Sequence, residues 1–139
     1  MSGGRPPSVD VNPAPATWSQ AERIAQMEQS VPTYALFSRA AATSSRTYVG
    51  IMDLDTGDYA IASSGGLPEC STFRAEGNAY QALGRPVNYY ISRAWTVESQ
   101  DGALTEVPKD ACIYCQNDYP AEAWAPDVTM QPGGRFASN

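Results

Sequence analysis

Apolar residues along this chain switch between helical and strand-like spacing, and the switches mark its elements. Ala21, Ile24, Ala25 and Met27 recur on one helical face, so a helix is expected from near Trp18, capped by Thr17 or Ser19, to about Gln29. Pro32 should end it, with Tyr34-Ala35-Leu36-Phe37 forming a short second piece. Trp18 and Phe37 read as core aromatics. Thr47–Asp53 and Asp58–Ser63 are β-branched and apolar runs joined by Leu54-Asp55-Thr56-Gly57, which predicts a β-hairpin.

Beyond the loop Ser63–Ser71, a helix capped by Ser71 or Thr72 is expected to run to about Leu83, where Gly84 and Pro86 stop it. Its buried stripe would be Ala75, Ala79, Ala82 and Leu83. Gly77 costs such a helix about 1 kcal/mol relative to alanine, which makes sense if a sheet or a ligand must approach the backbone there. Val87–Val97 predicts one long central strand, and Glu98–Pro108 a surface loop around Gln100-Asp101-Gly102. Asp110 is placed to cap a helix starting at Ala111 and carrying Cys112 and Cys115, which Pro120 ends. Asp127–Gln131 is expected as a last short strand. The order is helix, hairpin, helix, strand, helix, strand. It implies an α/β fold with a mixed β-sheet flanked by helices.

The 139 residues allow one domain and one core. Residues 1–16, rich in Pro, Gly, Ser and Ala without periodicity, read as a flexible lead-in to a single domain over 17–139. No apolar core follows Arg5, so the start is expected to be a linker and not a secretion signal. No uncharged apolar run approaches the ~18 residues that cross a bilayer, so no membrane partner is expected. A net charge of −6 argues against a protein that coats nucleic acid non-specifically. It leaves room for an enzyme that grips a few nucleotides.

Three cysteines cannot all pair within the chain, and Cys112 and Cys115 are too close along a helix for a comfortable disulfide. At the start of a helix both thiolates point to one side and gain from its positive end, which makes them half of a tetrahedral zinc site. Two buried small hydrophobes would leave the same letters. Glu76 sits beside the apolar stripe, as a general acid/base or as a solvated surface carboxylate.

Taken together, the hairpin, the helix Phe73-Arg74-Ala75-Glu76-Gly77-Asn78-Ala79, the strand and the Cys112-Ile113-Tyr114-Cys115 helix resemble the cytidine-deaminase-like fold. The nearest resemblance is to the bacterial toxin deaminases of polymorphic toxin systems, which act on cytosine in DNA and whose helix motif has the form H-[AV]-E-G. It covers roughly residues 47–135 and extends to the Pro132-Gly133-Gly134 end. The resemblance implies that Glu76 shuttles protons, that Cys112 and Cys115 hold Zn²⁺, and that zinc-bound hydroxide converts cytosine to uracil. It also implies single- or double-stranded DNA, or RNA, as substrate, with Tyr59, Phe73, Tyr114 and Trp95 as candidates to stack on a base. An immunity protein with basic patches would be a partner, and the site of action would be a target-cell cytoplasm reached by secretion.

The chain departs from that pattern at two positions. Arg74 stands at the third-ligand position, and a guanidinium has no lone pair to give a metal. Ala111 stands where proline precedes the CxxC. Three readings follow: an inactivating change in a deaminase, Cys70 serving as third ligand, or a module that lost zinc and only binds. A dithiol redox protein is a further class, disfavoured by the bulky Ile113-Tyr114 pair and by the lack of a thioredoxin-like strand before it.

Overall fold

The computed structural model describes residues 9–13, 15, 17–40, 47–64, 75–109 and 119–128. At its centre are β2 (Thr47–Asp53) and β3 (Tyr59–Ser63), the expected hairpin, paired antiparallel with Val49 opposite Ala62 and Ile51 opposite Ala60. The turn is made by Asp53, whose Oδ1 accepts from the Asp55 and Thr56 amides at 2.9 and 3.4 Å. Gly57 takes φ 82°, where a side chain would be strained. Both strands are buried along nearly their whole length, because a helix covers each face of the sheet.

One face is covered by α1 (Gln20–Ala40). It opens with a capping box: the Glu22 amide donates to Ser19 Oγ at 3.1 Å, and the Ser19 amide donates to Glu22 Oε1 at 2.8 Å. The expected stop at Pro32 does not occur; the helix runs through it as one element of 21 residues. Met27, Val31 and Ala35, all 0% exposed, lie at i, i+4 and i+8 on both sides of the proline. Burying that stripe outweighs the one backbone bond proline cannot make. Trp18 and Phe37 are not core: they are 36% and 76% exposed.

The sheet is wider than the pattern implied. Within the stretch read as a lead-in, β1 (Val9–Asn12) pairs with the outer edge of β3. The single long strand expected over 87–97 is instead β4 (Tyr89–Ile91) and β5 (Ala94–Gln100), both paired antiparallel with β2. The expected loop at 98–108 is mostly strand: β5 and β6 (Ala103–Lys109) form a second hairpin around Asp101 and Gly102, both at positive φ. The strand order is β1-β3-β2-β5-β6, with β4 also on β2.

The other face carries α2 (Ala75–Ala82). The observed element order is therefore β1, α1, β2, β3, α2, β4, β5, β6, then a 3-10 turn at Ala121–Ala123. This corrects the order expected from the sequence. The named strands of this six-stranded sheet pair antiparallel, and one isolated parallel bridge joins Ile91 to Trp124. Asp127 and Val128 do not begin a strand. The helix expected from Ala111 lies outside the described residues, as do 129–131.

Candidate active site

Each turn of α2 adds a small or polar group against the β2–β3 hairpin. Ala75 and Ala79, 1% and 0% exposed, pack on Val49, Ile51, Ala60 and Ala62. Alanines on the helix, and two on the sheet, let the helix backbone lie close to the sheet. The Asn78 amide donates to the Ser63 carbonyl at 2.9 Å and ties the helix to the end of β3. The stripe runs through Ala75, Glu76, Ala79 and the half-buried Leu83, while Ala82 is exposed.

Glu76 is the one acidic residue of the first turn and is 5% exposed. A solvated surface carboxylate is thereby excluded as its structural state. Glutamate is almost never buried without a partner, and Glu76 has one. Its position in the first turn also places the carboxyl group at the positive end of the helix dipole.

Gly77, the next residue, is not there to admit the sheet. A Cβ built on it would meet the Tyr119 hydroxyl at 3.9 Å, an ordinary contact. Tyr119 belongs to an aromatic tier over α2. Its ring stands 5.7 Å from Tyr80, 6.1 Å from Tyr89 and 6.0 Å from Trp124, edge to face in each case. Burial, then the nearby Tyr80 and Glu122, raise the pKa of Tyr89, so its hydroxyl stays protonated.

Arg74, Cys112, Cys115 and Cys70 lie outside the described residues. The residues on either side of the CxxC interval are described. Lys109 ends β6 opposite Ala94, a member of the α2-side core, and Tyr119 packs on Tyr80 and near Gly77 in that same layer.

Among the described residues, no three His, Cys, Asp or Glu side chains are grouped to hold a metal. The donor set can be weighed on its chemistry. Cys112 and Cys115 suit zinc, and the chain has no histidine to add to them. Arg74 cannot serve as a ligand, so Cys112 and Cys115 leave the three-ligand site that the resemblance implies one donor short, which only Cys70, outside the described residues, is of a type to supply.

Of the aromatic residues named as base-stacking candidates, Tyr59 is 7% exposed and belongs to the α1-side core. Trp95 packs against that core and is half-buried. Phe73 and Tyr114 lie outside the described residues. Sequence reasoning missed Tyr80, Tyr89, Tyr119 and Trp124 as a group. Tyr80 lies one helical turn from Glu76, which was a legible signal, whereas Tyr119 and Trp124 sit in an aperiodic stretch. No protein-family model, no curated protein and no solved structure matches this chain.

Proposed function

We propose that this chain is a deaminase-type domain directed at cytosine in nucleic acid, DNA by preference, in which Arg74 withholds the third zinc ligand. The observation that carries this reading is the burial of Glu76 in the first turn of a helix packed on the central hairpin. A proton shuttle needs such a carboxylate: held in place, screened from bulk water and next to open chemistry. The packing of Tyr119, four residues after Cys115, on the layer that buries Glu76 supports it, because two thiolate ligands must come to the glutamate. Zinc, where bound, would supply hydroxide from water at neutral pH.

The toxin role, a target-cell cytoplasm as the place of action and an immunity protein as partner belong to the same reading and rest on the motif order. A module that kept the scaffold and only binds nucleic acid or an immunity protein is the alternative, favoured by Arg74 itself.

Zinc per chain, measured by elemental analysis on this protein and on Arg74→His side by side, separates the two. Zinc near one per chain in Arg74→His, with uracil formed in single- or double-stranded DNA and lost again on Glu76→Gln, is the expected result. Metal in neither protein would overturn the hydrolase reading and leave the binding module.

A further inference from the structure

The bent strand beside β2 contains an irregularity unrelated to Glu76. Ile91 pairs with Ile51 and Ala94 with the β6 residue Lys109, while Tyr48 pairs with Trp95. Ser92, Arg93 and Ala94 therefore stand opposite only two β2 residues, Val49 and Gly50, which is a β-bulge. Ser92 completes the pairing with Gly50: its amide donates to the Gly50 carbonyl at 2.8 Å, and its Oγ accepts from the Gly50 amide at 2.9 Å. Arg93 is the extra residue.

On the outer side of the strand the neighbours part at the same place. Ile91 is bridged to Trp124, and its carbonyl accepts from the Ala125 amide at 2.9 Å, whereas from Ala94 onward the neighbour is β6. The bulge turns Arg93 over the ring of Trp95, with the guanidinium carbon 5.9 Å from the ring centroid. Arg93 Nε is sealed from solvent and has no hydrogen-bond acceptor among the described residues. Glu28, a carboxylate of the same face, already accepts from the Tyr90 hydroxyl at 3.0 Å.

A half-buried guanidinium with a sealed, unsatisfied donor is costly, and fifteen acidic residues stand against nine basic ones in the chain. An arginine kept in that state, its guanidinium carbon 5.9 Å from the centroid of an indole and beside a bulge, is arranged to offer the rest of its half-exposed fork to an oxyanion that arrives from outside. Its planar fork matches phosphate, and the Trp95 ring lies beside it. We propose that Arg93, backed by Trp95, is an anchoring point for a phosphate group, carried on a nucleic-acid strand or free as a monoester. The site stands on the α1 face and does not depend on the deaminase reading. A single fixed cation, not a basic surface, is how so acidic a chain would hold a strand.

Anisotropy of a fluorescein-labelled single-stranded oligonucleotide, measured over a salt series, tests this on the full chain, Arg93→Gln and Arg93→Lys. Inorganic phosphate, followed by tryptophan fluorescence, is the second probe. For a strand phosphate, Arg93→Gln should weaken oligonucleotide binding about tenfold and reduce the slope of log affinity against log salt by about 0.7. Arg93→Lys should keep the slope and lose part of the affinity. Binding of inorganic phosphate alone, lost in Arg93→Gln, would assign the site to phosphate monoesters. Unchanged curves in Arg93→Gln, or no binding of either probe, would overturn the proposal. Thermal unfolding of each variant reports its folding, and if Arg93→Gln does not fold, loss of affinity at constant slope in Arg93→Lys decides. None of these readouts involves zinc or uracil, so failure here and failure of the deaminase reading are told apart.

Discussion

The two faces of the sheet are built from different materials. Against α1 the sheet presents Tyr48, Met52, Tyr59, Ile61 and Val97, filled by Met27, Val31 and Ala35 from a helix of 21 residues. Against α2 it presents Val49, Ile51, Ala60, Ala62 and Ala94, met by two alanines and a buried glutamate from a helix of 8 residues. The first face invests in large interlocking side chains. The second uses alanines on its helix, buries a carboxyl group, and closes with aromatic residues that come from distant segments. A surface packed for stability and one packed to hold a polar group are distinguishable by side-chain size alone.

Breaking the α1 face should cost most. Met27→Ala removes a fully buried side chain from its centre and should destabilise the protein by about 2–5 kcal/mol in chemical denaturation. Gly50→Ala tests the closeness of that packing. A Cβ there would lie 2.9 Å from both Met27 Cγ and Val31 Cγ2, so a loss of about 1–3 kcal/mol is expected. Combining it with Met27→Ala should cost less than the two losses added, because one of the atoms in the way is gone. An additive double mutant would show that α1 shifts as a body.

The α2 face should answer a glycine replacement in the opposite sense. Among the described residues Gly77→Ala meets an ordinary contact with Tyr119 and nothing closer, so the gain in helix propensity, about 1 kcal/mol, should raise stability. A loss of stability would place Gly77 in the tight-packing class of Gly50 and erase the contrast.

The smallest effect concerns pH. Burial, and then the hydrogen bond to Glu28, raise the pKa of Tyr90 above its ordinary value of 10.0. The phenol ionises more readily in the unfolded chain than in the folded one. Its contribution is therefore present in full below about pH 10 and is lost as pH rises through the folded value. Tyr90→Phe should flatten the decline of thermal midpoint above pH 10; an unchanged alkaline limb would show that the hydroxyl is not held by Glu28.

Much of this architecture was legible locally. The central hairpin is fixed by alternating β-branched runs around Asp53 and Gly57, and the first helix opens at Ser19 because Ser19 and Glu22 satisfy each other's backbone amides. The small-residue character of α2 and the presence of Glu76 within it could also be read from spacing. These features depend on residues a few positions apart, whose interactions are set once the backbone takes one turn or one pleat.

Other features were decided by partners far along the chain. Pro32 sits inside a helix because the stripe on both sides of it has a sheet to bury against. Val9–Asn12 is a strand because the edge of β3 offers it backbone partners, although its composition alone reads as a linker. The bulge at Ser92 and Arg93 exists because β4 and β5 must both pair with β2, and nothing in the run from Tyr89 to Gln100 marks the break. Glu76 is the sharpest case. The sequence set it beside an apolar stripe, but only the packing of α2 in the tertiary structure turned that position into a buried carboxylate, since burial is a property of what covers a residue.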